Sequence, residues 1–176
     1  MDRCQNDGLE EVSRMKPAYN VLFLCTGNSA RSIIAESLLN ALGGGRFRGF
    51  SAGSHPKGEV HSLAIEVLAR GGYPTLEARS KSWDEFARPG APAIDFVITV
   101  CDNAAAEACP IFPGHPVSAH WGMPDPAAAQ GTADAQRDAF RDTLREMRRR
   151  VQQFTSLPFG STDQQALRGM MQAIAS

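Results

Sequence analysis

The stretch Asn20-Val-Leu-Phe-Leu-Cys25 is apolar without alternation, and it stops at a turn, Thr26-Gly-Asn-Ser-Ala30. Arg31 and Ser32 follow, then apolar residues at Ile34, Leu38, Ala41 and Leu42. The run ending at Cys25 reads as a short buried strand. The spacing after the turn is that of a helix. A buried strand, a tight turn and a helix in direct succession restrict the chain to folds that alternate strand and helix.

The remaining pattern agrees. Gly43-Gly-Gly45 stops the first helix, and Phe47 to Ala52 reads as a second strand. A helix is expected over 59–70, with Val60, Leu63, Val67 and Leu68 on one face and Gly71-Gly72 at its end. Ile94 to Val100 is the clearest strand, and Val117 to His120 a fourth. Phe140, Leu144, Met147, Val151 and Phe154 form one stripe of a long helix. The expected architecture is a three-layer α/β fold around a central parallel sheet. Residues 1–18 read as a flexible leader, 19–157 as one catalytic domain, and 158–176 as a C-terminal extension with a last helix from Asp163 to Ala173.

A net charge of −1 gives no basic excess for nucleic acid and no acidic tail. No apolar run approaches the roughly 18 residues of a membrane span. The first sixteen residues are polar and lack the apolar core of a secretory signal. A cytoplasmic monomer is the expectation. In a reducing compartment the four cysteines, Cys4, Cys25, Cys101 and Cys109, are not a static disulfide scaffold.

The turn after Cys25 has the makings of an anion receptor. A loop that enters a helix aims backbone N–H groups at one spot, and the helix dipole adds positive character. Thr26, Gly27, Asn28, Ser29 and Ala30 supply those groups, and Gly27 lets the chain curl. Arg31 adds a planar fork of donors suited to a tetrahedral oxyanion. Cys25 at the base of such a cradle is favoured as the thiolate, and Ser32 is placed to donate a hydrogen bond to its sulfur. An isolated buried cysteine is more often a small hydrophobe. The strand before it and the serine and helix after it favour the functional reading. A Walker phosphate loop is excluded, because no Gly-Lys-Ser/Thr is present.

The string Cys-Thr-Gly-Asn-Ser-Ala-Arg-Ser behind Val-Leu-Phe-Leu resembles the low-molecular-weight protein tyrosine phosphatases and their relatives, the arsenate reductases, with wording closer to the reductase branch. The resemblance runs from about Val21 to Phe154. It implies four parallel strands flanked by helices. It also implies that Asp125 of Asp125-Pro126, in the loop after the fourth strand, is the general acid that protonates a departing oxygen. Asp-Pro is also a common turn signal, but the surrounding His120-Trp121-Gly122 is similar to the reductase pattern. Tyrosine phosphatases of this kind carry aromatic residues after the Asp-Pro. Here Ala127-Ala-Ala129 follows, which suits a small inorganic substrate better than a phenol ring.

Phosphatases need one cysteine; Cys101 and Cys109 are two more. A zinc site is disfavoured because the spacing is not C-x2-C and no second ligand pair follows, although His115 and His120 are near in sequence. Two structural thiols are a further alternative. The resemblance implies a relay instead, for arsenic detoxification. Cys25 attacks arsenate, Cys101 attacks Cys25 as arsenite leaves, and Cys109 takes over the disulfide from Cys25. Thioredoxin, or glutathione with glutaredoxin, resets the enzyme. A tyrosine or small-molecule phosphatase is the second reading, and a non-catalytic oxyanion or redox sensor the third.

Residues 102–108 are alanine-rich and expected to be helical when reduced. Eight helical steps separate two Cα atoms by about 12 Å, whereas a disulfide tolerates about 4.4–6.8 Å. The segment must therefore unwind on oxidation. Many thioredoxin-coupled relatives have six residues between these cysteines, against seven here. Some relatives hold potassium near the loop. Asn28, Glu36 and Ser51 look like parts of that site, but Lys81 stands where an acid is expected and could supply the charge itself. No metal and no bound cofactor are therefore expected. Cys4 reads as a bystander, His55 and His61 as surface or loop residues, Arg148-Arg-Arg150 as a solvated helix face, and Trp121 as packing beside the acid loop.

Overall fold

A computed structural model describes residues 16–176. Cys4 and most of the expected leader lie outside the described residues. Four strands form one parallel sheet: β1 (Tyr19–Cys25), β2 (Phe47–Gly53), β3 (Phe96–Thr99) and β4 (Val117–His120), in the order β2-β1-β3-β4. The crossovers and flanks supply α1 (Arg31–Leu42), α2 (Ser62–Arg70), α3 (Asp102–Ala106), α4 (Ala133–Thr155) and α5 (Gln164–Ala173). Short 3-10 turns occupy Trp83–Phe86 and Pro126–Ala128.

The unbroken apolar run of β1 comes from packing on both faces of the strand. Val21, Phe23 and Cys25 point into the larger core, among residues of α1, α2, α4 and α5. Leu22 and Leu24 point to the opposite face with Val97 of β3, where Phe86, Ile94 and Phe112 cover the sheet. Each strand residue alternates faces, and both faces are apolar. The second covering layer is thin, built from the 83–86 turn and neighbouring loops.

α1 closes where the glycine triplet begins. The Gly43 N–H donates to Leu39 O at 2.8 Å, and Gly44 and Gly45 take φ values of +60° and +76° to turn the chain into β2. α2 starts at Ser62 rather than 59, because His61 caps it: its Nδ1 accepts from Leu63 N at 3.1 Å.

The C-terminal segment packs back onto the domain. Leu167, Met171 and Ile174 enter the main core, and Phe159 joins Tyr19, Phe47, Phe96 and Phe154 in an aromatic cluster. α5 also grips β4. Gln172 exchanges two 2.9 Å hydrogen bonds with the backbone of His120, and Trp121 Nε1 donates to Met171 O at 2.9 Å. Trp121 is fully buried, as its packing role requires.

Two further expectations need correction. The helix after Cys101 ends at Ala106, not Ala108: Glu107 is extended, with ψ of 150°. Pro110 keeps Cys109 out of helical geometry, and the alanine run cannot carry the helix through it. Arg150 is not on a solvated face. It is buried, its Nη1 donates to Trp121 O at 2.9 Å, and its Nε donates to Glu146 at 2.7 Å. Hydrogen bonds from Arg149 and Arg150 hold the Glu146 carboxyl down at about 2. Arg148 is exposed.

Candidate active site

The site forms at the C-terminal end of β1, where parallel sheets place ligands. Cys25 ends the strand with its sulfur buried. Asn28 adopts φ of +42°, a left-handed turn that folds the loop back over the sulfur. Its N–H donates to Cys25 Sγ at 3.2 Å, and Ser32 Oγ lies 3.1 Å from the same sulfur.

The loop encloses a cavity of about 210 Å³. Cys25, Thr26, Gly27, Ser29, Ala30 and Arg31 line one side. Cys101 and Asn103 from the start of α3, Asp125, and His55 and Lys57 from the segment after β2 complete it. That is smaller than the roughly 300–1,000 Å³ of sites for drug-sized ligands.

Arg31 joins the loop to the segment carrying Asp125. Its Nη1 donates to Met123 O at 2.8 Å, and its Nη2 stands 3.7 Å from Asp125 Oδ2. The buried Arg150 holds the same segment from below through the Trp121 and Gly122 carbonyls. Asp125 caps the Pro126–Ala128 turn, accepting from Ala127 N at 3.1 Å, and its carboxylate remains partly exposed at the cavity mouth.

Asn28 and Ser32 lie beneath the cavity rather than on its wall. The Asn28 amide donates to Ser32 Oγ at 2.9 Å and to Ser51 Oγ at 3.0 Å, and accepts from Lys81 N at 2.8 Å. Lys81 Nζ sits 3.4 Å from both Glu36 Oε2 and Ser51 Oγ and donates to Arg79 O at 3.2 Å. Ser51 also donates to Glu36. The ammonium is thus inside the cluster that the sequence marked as a cation site. Burial pushes the Lys81 amine down and the Glu36 carboxyl up, each partly offset by the other's charge.

Cys101 shares the cavity with Cys25, and its sulfur is 3.6 Å from Thr26 Oγ1. The same sulfur accepts from Ala104 N at 3.4 Å and so caps α3. Cys109 is exposed and lines a different groove, beside Ala105, Pro110 and Phe112. Partial burial and the Glu107 carboxylate push its thiol up. Cys25, Cys101 and Cys109 are free thiols in this arrangement. The structure therefore brings Cys25, Arg31, Cys101 and Asp125 together and leaves Cys109 apart.

Sequence reasoning missed His55 and Lys57. Backbone bonds place their segment: His55 N donates to Thr26 O at 3.0 Å and Lys57 N to Gly27 O at 2.9 Å. The Lys57 stem lies over Gly27, where a Cβ would come within 3.3 Å of it. A lysine in a loop carries no periodic signal, so only the fold reveals its position.

Residues 20–167 match the family model of the low molecular weight phosphotyrosine protein phosphatases, and the chain belongs to that family. An arsenate reductase of Halalkalibacterium halodurans is 34% identical over 134 residues, covering 76% of this chain and 93% of the relative. The crystal structure of an arsenate reductase from Archaeoglobus fulgidus superposes with a TM-score of 0.61 at 26% identity, covering 78% of this chain and 99% of the other. A thioredoxin-dependent arsenate reductase of Corynebacterium glutamicum gives a TM-score of 0.54 at 27% identity, with 81% and 66% covered.

Proposed function

We propose that this protein is an arsenate reductase working through a three-thiol relay. The observation that carries the reading is the placement of two thiols, Cys25 and Cys101, on one cavity of oxyanion size. A phosphatase has no use for the second. The similarity to curated arsenate reductases supports the same conclusion.

Arsenate enters the loop, held by its N–H groups and by the Arg31 guanidinium, with the Lys57 ammonium at the wall. The Cys25 thiolate bonds to arsenic, and Asp125 protonates the oxygen that leaves as water. The Cys101 thiolate then attacks Cys25 Sγ. A sulfur–sulfur bond forms, the sulfur–arsenic bond breaks, and its electron pair stays on arsenic. Arsenic(V) becomes arsenic(III), and two thiols become one disulfide. Cys109 next attacks Cys101 Sγ, and Cys25 departs as thiolate. An external dithiol reduces the Cys101–Cys109 bond. The thioredoxin-dependent neighbour favours thioredoxin over glutathione with glutaredoxin.

The same Cys25, Arg31 and Asp125 suit hydrolysis of an unhindered phosphate ester, so slow aryl phosphatase activity accompanies the main reaction. The deciding experiment is steady-state turnover of arsenate with the thioredoxin system and, separately, with glutathione and glutaredoxin. Arsenite production with one of them is expected. Aryl phosphate hydrolysis without arsenite in either system would reassign the protein as a phosphatase.

A further inference from the structure

His120, at the end of β4, ties together three parts of the molecule. Its Nδ1 lies 2.8 Å from Thr99 Oγ1 at the end of β3, and its Nε2 lies 2.9 Å from Asp102 Oδ1, the first residue of α3. Gln172 of α5 holds the His120 main chain through both its N–H and its C=O. Gly122 passes directly beneath the pair: a Cβ there would come within 2.7 Å of both His120 Nε2 and Asp102 Oδ1.

Asp102 has no burial to explain its fixed position, since 91% of its side chain is exposed. α3 itself is slight. Its five residues are closed by 3.2 Å bonds from Ala105 N to Cys101 O and from Glu107 N to Asn103 O, together with the Cys101 sulfur cap. Among the described residues, the bond between His120 Nε2 and Asp102 is the one hydrogen bond that a side chain of 102–106 makes to the rest of the fold.

We propose that His120 is a positioning residue of the thiol relay: it pins Asp102, and through it α3, in the arrangement that keeps Cys101 on the Cys25 cavity and Cys109 away from it. The proposal rests on the relay described above. In the step concerned, the Cys109 thiolate bonds to Cys101 Sγ, the Cys25–Cys101 bond breaks, and Cys25 leaves as thiolate, with no net gain or loss of electrons. α3 has to give way for Cys109 to arrive. The tie stabilises only the dithiol form, so it opposes the Cys101–Cys109 disulfide. It holds Cys109 back until Cys101 has been drawn into the Cys25–Cys101 bond. α5 acquires a role in the chemistry through Gln172, although it contributes nothing to the cavity.

The test compares Asp102→Ala with Asp102→Asn in the full chain. The midpoint potential of the Cys101–Cys109 couple is measured in dithiothreitol redox buffers, beside aryl phosphate hydrolysis. Losing the tie should favour the disulfide about two- to tenfold, lowering the potential by about 9 to 30 mV. Hydrolysis should not change, because it needs only Cys25, Arg31 and Asp125. Asp102→Asn keeps an oxygen that can accept from the imidazole and should return the potential to the wild-type value. A wild-type potential in Asp102→Ala would overturn the proposal. So would an Asn variant that matches Ala, since lost charge rather than the lost tie would then be the cause. Should the wild-type protein form no Cys101–Cys109 disulfide after arsenate turnover, the relay itself is wrong and the proposal falls with it.

Discussion

The Cys101 sulfur lies 3.6 Å from the Thr26 hydroxyl, against the residue that follows Cys25 in the chain. The second thiol therefore lies on the Cys25 cavity, while the third is on another surface. In the proposed relay, Cys25 and Cys101 meet within one cavity, whereas Cys109 has to come from a separate groove.

That asymmetry separates the mutants. Cys25→Ser should abolish both arsenate reduction and aryl phosphate hydrolysis, because a serine hydroxyl is far harder to ionise than a thiol. Cys101→Ser and Cys109→Ser should lose multiple-turnover reduction and keep hydrolysis near the wild-type rate. Parallel assays of the three variants decide it. Wild-type arsenate turnover in either relay mutant would rule out the disulfide sequence.

Asp125→Asn keeps the shape of the acid loop but cannot give up a proton. Its kcat should fall by about 100- to 10,000-fold for an ester with a poor leaving group, and much less for one whose leaving group needs no proton. Rates measured across a leaving-group series would show the steepened dependence. Equal losses along the whole series would mean that Asp125 acts through the Arg31 contact instead.

α3 should open on oxidation. The atom that must move, Cys101 Sγ, is the one that caps the helix through Ala104 N. Hydrogen exchange on reduced and arsenate-oxidised protein should show faster exchange confined to about residues 101–112, with α1 and α4 unchanged. Unaltered protection there, with the Cys101–Cys109 bond confirmed by mass spectrometry, would place the motion elsewhere.

The Lys81–Glu36 pair should govern part of the pH dependence of stability. Burial raises the Glu36 carboxyl above 4.5, so just above that pH the folded state holds the extra proton and stability falls as pH rises. Burial lowers the Lys81 amine below 10.5, so in the window beneath that pH the unfolded state holds the extra proton and stability climbs as pH rises. Lys81→Met should cost about 3 kcal/mol at neutral pH by leaving Glu36 buried without its partner. Adding Glu36→Gln should recover part of that and flatten both slopes. Urea unfolding of the single and double variants across pH is the measurement.

Much of the architecture was legible because the burial pattern is simple. β1 has apolar neighbours on both faces and reads as an unbroken run, and β4 lies at Val117–His120, where a fourth strand was read. The end of α3 was misplaced because alanine favours helix locally, while Pro110 and an extended Glu107 decide the backbone. In the site, the chain order from Cys25 to Ser32 is itself the geometry, so the loop could be read directly. Lys57, Arg150 and the pairing of His120 with Asp102 arise from contacts between distant segments. No spacing rule encodes these, and an arginine in Arg148-Arg-Arg150 looks solvated until its neighbours are known.

The clamp between Gln172 and His120 also bears on self-association. β4 is an outer strand, and an outer strand with free N–H and C=O groups is a template for another chain. At His120 the glutamine amide occupies both groups at once. A second copy of the protein finds no vacant rung there.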